Sequence, residues 1–368
     1  MRYPIFITLV FIAGGIISGC GRGNTEESKK EFTLDTAEAV EFLNPPLIKE
    51  IYTADPSAHV FENKIYIYPS HDVESTVEED DSGAQYNMKD YFVFSLDKAN
   101  GQVVNHGKVL DVKDVKWAKR QMWAPDAAEK DGKYYLYFPA KDHEDLFRLG
   151  VAVSDEPTGP FIPEEAPMKG SFSMDPSVFQ DDDGQYYIYW GGIWGGQLQK
   201  WRTGKYVSTG NSPYDDEPED NEPAIAPQVA MLSDDMLQFN EAPRDVVILD
   251  EAGNPIKAGD HEKRFFEASW MHKYNGTYYF SYSTGDTHKI VYATGNNPYG
   301  PFTYQGVILN PVQGWTNHHS IVEFDGQWYI FYHDTELSNK NYLRNVKMSP
   351  LRHLEDGSIE LIEPIIEE

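Results

Sequence analysis

The sequence predicts an all-β fold, and within that class a five-bladed β-propeller. Three observations carry the prediction. A short aromatic strand recurs five times: Lys64-Ile65-Tyr66-Ile67-Tyr68, Lys133-Tyr134-Tyr135-Leu136-Tyr137, Gln185-Tyr186-Tyr187-Ile188-Tyr189, Thr277-Tyr278-Tyr279-Phe280-Ser281 and Gln327-Trp328-Tyr329-Ile330-Phe331. A turn signal sits just before each copy, as Asn63-Lys64, Asp131-Gly132, Asp183-Gly184, Asn275-Gly276 and Asp325-Gly326. Asn-Gly and Asp-Gly favour tight hairpins because both central positions of a type I′ turn need positive φ. Finally, one polar residue leads each unit at a nearly constant distance: Asp55, Asp126, Asp175, Glu267 and His319. Equivalent positions in a radial repeat converge on one axis, so four carboxylates and a histidine are expected to share one pocket. A β-sandwich would leave that recurring polar residue unexplained. No long stretch has the period of a helix.

Taken in order, the chain opens with Met1-Arg2, an apolar run over residues 5–17, and Ile17-Ser18-Gly19-Cys20. The run is too short for a comfortable membrane span. Residues 1–19 resemble a bacterial lipoprotein signal peptide, which implies cleavage before Cys20, lipidation of its thiol, and export to the cell envelope, at the periplasm or the cell surface. A plain signal peptide or a short anchor is the alternative. Residues 20–44 read as a polar tether without apolar periodicity. Residues 45–368 read as the propeller. Its first strands fall at 57–62, 127–130, 177–180, 269–274 and 320–324, each followed by a turn and an aromatic strand. A second element recurs outside the hairpins, where Ser154-Asp155-Glu156-Pro157-Thr158-Gly159-Pro160-Phe161 matches Thr294-Gly295-Asn296-Asn297-Pro298-Tyr299-Gly300-Pro301-Phe302. Two polar insertions, 74–85 and 204–221, read as loops that either border a site or decorate the surface.

Composition narrows the function. The net charge of −28 over 368 residues opposes nucleic acid, whose phosphates need Lys and Arg, and opposes docking on anionic lipid. A neutral substrate is compatible with it. The single cysteine, Cys20, excludes an intramolecular disulfide.

Asp55, Asp175 and Glu267 lead units one, three and four. Converging carboxylates raise one another's pKa, and two whose environments push their pKa values apart form the acid and base pair of glycoside hydrolysis. The motifs carrying them are Ala54-Asp55-Pro56-Ser57, Trp123-Ala124-Pro125-Asp126, Met174-Asp175-Pro176-Ser177-Val178-Phe179, Phe266-Glu267-Ala268-Ser269-Trp270 and His318-His319-Ser320-Ile321-Val322. In this order and spacing they resemble glycoside hydrolase family 43, whose members are five-bladed propellers acting on arabinose- and xylose-containing plant polysaccharides. Ala268-Ser269 stands where many members have Gly-Pro.

The resemblance implies Asp55 as the general base that activates water, Glu267 as the general acid, and Asp175 as the carboxylate that tunes Glu267. It also implies inversion of configuration, which needs carboxyl groups roughly 6.5–9.5 Å apart. Further, it implies a central His319 beside a calcium ion or a water, and Arg344 near the sugar. Calcium prefers oxygen ligands, so a lone histidine would be one contact in a mostly aqueous shell. No organic cofactor is implied. Trp123 either stacks on a sugar face or packs in the core. Asp126 either caps its turn or touches substrate, and His71-Asp72 borders the pocket. His318 is expected to turn away as a structural residue.

The function that follows is an exo-acting glycosidase releasing terminal xylose or arabinose from xylan- or arabinan-derived oligosaccharides, with β-xylosidase preferred to α-L-arabinofuranosidase or endo-arabinanase. The reading from another class is a surface lipoprotein that binds glycan without cleaving it. Three mutually repelling carboxylates oppose that reading.

Overall fold

The computed structural model describes residues 41–366. The lipobox, Cys20 and most of the tether lie outside the described residues. Among those described, no helix is long and apolar enough to cross a membrane.

Five antiparallel sheets follow one another along the chain as blades. Blade 1 runs Thr53–Phe61, Lys64–His71, Asp90–Leu96 and Val104–Asp111. Blade 2 runs Asp126–Lys130, Lys133–Asp142, Phe147–Ser154 and Ile162–Pro163, with Ala118–Arg120 added beside the end of its second strand. Blade 3 runs Ser177–Gln180, Tyr186–Trp190, Gln228–Met231 and Arg244–Asp245. Blade 4 runs Glu267–Tyr274, Thr277–Ser283, Ile290–Gly295 and Phe302–Leu309, and Ile248–Leu249 joins its outer edge in parallel. Blade 5 has three strands, His319–Phe324, Gln327–Asp334 and Asn345–Leu351. A four-stranded fifth blade does not form among the described residues because the chain beyond Leu351 closes the ring instead. Ile362 donates its N–H to Ile308 of blade 4, and Ile365–Ile366 pairs with Glu41–Phe42.

The aromatic strands are apolar on both faces because both faces are buried. Side chains alternate across a strand. Tyr186, Ile188 and Trp190 therefore pack with Tyr135, Tyr137 and Val151 of blade 2, while Tyr187 and Tyr189 pack with Tyr278, Phe280 and Tyr282 of blade 4. The same rule gives one apolar cluster between each pair of neighbouring blades, including the closing pair, where Ile65, Ile67 and Phe94 meet Phe331 and Val346. A buried tyrosine hydroxyl must find a partner. Tyr68 donates to the Pro157 carbonyl and Tyr189 to that of Pro298, both at 2.7 Å. The repeated proline turn is thus a pin that receives a tyrosine from the preceding blade.

Candidate active site

Hairpin register decides which residue of each inner strand reaches the pocket. Ser57 faces Tyr68, Asp126 faces Tyr137, Ser177 faces Tyr189, Trp270 faces Ser281 and Ser320 faces Phe331. Two residues before these positions stand Asp55, Ala124, Asp175, Ala268 and His318. Asp55, Asp175 and Ala268 hold φ of 48°, 55° and 62°. This left-handed conformation is uncommon outside glycine and occurs where a bulge re-aims the chain. Register shifts between Ala54 and Ser57 and between Glu267 and Trp270 mark the two bulges. Glu267 therefore enters the pocket from one residue upstream of the position that Asp55 occupies in blade 1.

Asp55, Asp175, Glu267, Trp123, His318 and Arg344 all line one cavity of about 790 Å³, its mouth included. Asp55 is fully partnered. Arg344 Nη1 donates to Oδ1 at 2.9 Å, Ser70 Oγ donates to Oδ2 at 2.7 Å, and the Asp55 N–H donates to His333 Nδ1 at 3.0 Å. Burial pushes this carboxyl up, but Arg344, the histidines and Ser70 outweigh burial and hold it at about 2. Arg344 is itself fixed, for Asp72 accepts its Nε and Nη2 in a fork at 2.9 and 2.8 Å and its backbone N–H at 2.7 Å. A planar guanidinium suits this two-sided pairing as an ammonium does not.

Glu267 is the reverse case. Its carboxyl accepts no hydrogen bond among the described residues, and burial together with the Asp55 charge pushes it up to about 8. Asp175 is also raised, by burial and then by Glu267 and Asp55. Its Oδ2, however, accepts the Ala268 N–H at 3.1 Å, a bond that favours the ionised form. Both neighbouring carboxyls are thus pushed toward the protonated form near neutral pH, and Glu267 is the one with no backbone donor opposing the shift. His318 Nδ1 lies 3.6 Å from Asp175 and 3.9 Å from Asp55, and burial lowers the imidazole to about 4, so it is neutral.

The two polar insertions build the walls. Residues of the first, including Glu79, Asp81, Gly83 and Gln85, line the cavity. The second stands behind the opposite wall, where Tyr214 donates its hydroxyl to Asp81. Trp123 is held by an Nε1–H bond to the Tyr86 carbonyl at 2.7 Å and packs on Phe147. On this side a Cβ at Gly192 would lie 2.2 Å from Met174 Cε, so the methionine end fills the space that the glycine leaves.

Two expected residues stand elsewhere. Asp126 lies off the cavity, two positions further along its strand than Asp55 and Asp175. Its carboxylate accepts from Ser57 and His59 of blade 1 and from the Val178 N–H of blade 3. With both oxygens engaged in joining blades, it has none left for a sugar. His319 is fully buried, with Nε2 at 2.6 Å from Ser281 Oγ and Nδ1 without a partner. No group of three or more His, Cys, Asp or Glu able to hold a metal occurs among the described residues. The expectation for the His318-His319 pair is reversed at its first member: His318 faces the carboxylates.

Several pocket residues lack a sequence signal of their own. His333 of blade 5 reaches Asp55 only through blade closure, whereas Ser70 reaches it from the facing strand of blade 1 and Thr316 reaches Arg344 within the blade 5 side. Trp194, Trp315 and Phe266 form an aromatic wall. The run Gly191-Gly192-Ile193-Trp194-Gly195-Gly196 is the one feature that could have drawn attention to it.

The chain is similar to known proteins over most of its length. Glycosyl hydrolases family 43 matches residues 48–359. A xylosidase/arabinosidase of Bacteroides ovatus is 60% identical over 319 residues, covering 86% of this chain and 97% of its own length. A β-xylosidase of Xylanibacter ruminicola is 52% identical, covering 85% and 97%. Among solved structures, a β-xylosidase/α-arabinofuranosidase from a compost microbial metagenome, in complex with xylotriose and in calcium-free form, superposes with a TM-score of 0.86 at 63% identity, covering 89% of this chain and 100% of that one.

Proposed function

The chain belongs to glycosyl hydrolases family 43 and is a glycoside hydrolase, and from that premise we propose that it removes terminal xylose from β-linked xylo-oligosaccharides with inversion of configuration. The observation that carries the chemistry is the opposition of two carboxyls in one cavity, Asp55 held at about 2 and Glu267 raised to about 8. An ionised Asp55 takes a proton from water as it attacks the anomeric carbon. A protonated Glu267 gives its proton to the departing oxygen. Asp175 accepts the Ala268 N–H beside Glu267 and so helps hold the acid in place, and Arg344 keeps Asp55 ionised through Nη1, whose other hydrogen the Thr316 hydroxyl accepts.

The exo mode follows from the walls. The two insertions meet through Tyr214 and Asp81, which suits a chain end better than a chain middle. Arabinofuranoside cleavage is the second activity, favoured by relatives named for both sugars. A calcium ion beside His319 is supported only by its unpartnered Nδ1; with no metal-holding group of three or more His, Cys, Asp or Glu among the described residues, such an ion would take most of its oxygen ligands from water. The N-terminal segment is read as a lipid anchor to the cell envelope, placing the enzyme where oligosaccharides arrive from outside.

The test is a proton NMR time course on xylobiose beside rate measurements on aryl β-xyloside and aryl α-arabinofuranoside. α-Xylose as the first product, with the xyloside faster, is the expected outcome. First-formed β-xylose would refute inversion, and a faster arabinofuranoside would reverse the order of the two activities.

A further inference from the structure

The second insertion has no part in the chemistry above, yet it grips a residue of the pocket wall. Trp194 donates its ring N–H to Glu217 Oε1 at 2.6 Å, and Glu217 belongs to that insertion. Arg264, buried at 5% side-chain exposure, donates Nη1 to the other Glu217 oxygen at 2.8 Å and to the Ala258 carbonyl at 3.2 Å. The Trp194 backbone is also tied, its N–H donating to Gln199 Oε1 at 2.9 Å while Gln199 Nε2 reaches the Pro213 carbonyl of the insertion at 2.9 Å. Trp194 has φ of 57°. A bulky residue adopts this conformation only where its surroundings over-determine it, and such positions gather at functional sites.

The direction of this wall identifies what it meets. Glu267 faces the departing oxygen, so the leaving group lies on its side of the cavity. The preceding residue, Phe266, packs edge-to-face on Trp194 at 4.9 Å and on Trp315 at 5.9 Å, and its carbonyl accepts the Ile193 N–H at 3.0 Å. The tryptophans therefore border the space into which the leaving sugar projects. Aromatic walls suit the C–H face of a neutral pyranose.

We propose that Glu217 is a positioning residue that fixes Trp194 as the wall of the leaving-group subsite, so that the 204–221 insertion sets the preference for a xylo-oligosaccharide. This rests on the exo-xylosidase reading above. A charge-assisted bond from an indole N–H is among the stronger neutral-donor contacts, and its loss frees the ring from one of its ties.

The experiment compares xylotriose with β-xylosyl fluoride, whose leaving group is a single atom and needs no sugar subsite. Glu217→Ala is expected to raise KM for xylotriose about tenfold while changing kcat/KM for the fluoride less than about twofold. Glu217→Gln keeps an acceptor oxygen and should restore most of the xylotriose KM. Joining Glu217→Ala to Trp194→Phe should be no worse than the weaker single variant, because both break the same bond. Equal losses on the two substrates, additive losses in the double variant, or an unaltered xylotriose KM would each overturn the assignment of Glu217. A wild-type enzyme that cleaves neither substrate would overturn the exo-xylosidase reading itself, a result distinct from those three.

Discussion

On the blade 1 side of the pocket, both Asp55 oxygens and the Asp55 N–H have partners, whereas on the blade 4 side the Glu267 carboxyl has none. Burial acts on both in the same sense, disfavouring charge. What separates them is the supply of donors. Blade closure brings Arg344 and His333 to Asp55, and Ser70 joins them from the facing strand of blade 1, while Glu267 is left beside Phe266 and the charge of its neighbours. The ring thus builds an acid and a base from two carboxyls at nearly equivalent bulges. One seat is lined with positive charge and hydroxyl, the other with apolar surface and negative charge.

The largest expected effect tests the empty seat. Glu267→Gln removes the transferable proton and leaves the shape. It should lower kcat on xylobiose by about 10²–10⁴-fold. On dinitrophenyl β-xyloside, whose leaving group departs without protonation, the loss should be much smaller. A loss of equal size on both substrates would mean that Glu267 acts on something other than the departing oxygen.

A second effect tests the filled seat. Asp55 must be ionised, so its limb of the pH profile lies at about 2 and activity holds above it. Glu267 must be protonated, so activity falls as pH rises through about 8. Replacing Arg344 by Met together with Asp72→Asn removes the guanidinium without stranding the buried Asp72 charge. Burial of Asp55 is then less opposed, and the acid limb should move up by about 1–3 pH units. The alkaline limb should also move up, but less, because Arg344 is the smallest of the influences on Glu267. An acid limb that stays in place would show that the histidines and Ser70 suffice.

The sequence made the scaffold legible because the turn signals and aromatic strands recur at the pitch that alternation across a buried sheet demands. Asp55, Asp175, Glu267, Trp123 and Arg344 were legible through their motifs, and all five line the cavity. Asp126 and His318 were misjudged for one reason. Matching leading residues by chemical type put Asp126 level with Asp55, and His319 ahead of His318. Counting back from the hairpin turn puts Ala124 and His318 there instead, and the observed register agrees with the count. Asp72 was legible only as a neighbour of the pocket, because its partner Arg344 lies far away in sequence. His333 left no local trace, since its role exists only once blade 5 meets blade 1, and Ser70, though beside Asp55 in the blade 1 hairpin, carries no motif of its own.

The smallest effect expected concerns His333, and it separates charge from geometry on the Asp55 side. Its Nδ1 accepts the N–H of a residue held at φ of 48°, so the ring must be neutral with its proton on Nε2, which the Thr316 carbonyl accepts at 3.0 Å. Burial lowers His333 to about 3, which keeps that tautomer available across the working pH range. His333→Phe preserves the volume but strands the Asp55 N–H; the cost of an unpaired buried donor is about 1–3 kcal/mol. His333→Asn places an amide oxygen near the former Nδ1. If the bulge is what His333 maintains, Phe should lower kcat on xylobiose about tenfold while Asn recovers most of the rate, and the acid limb should move little in either. Equal losses in Phe and Asn, or a limb displaced as far as in the Arg344 variant, would show that His333 serves Asp55 as a source of positive charge and not as the acceptor that sets its backbone.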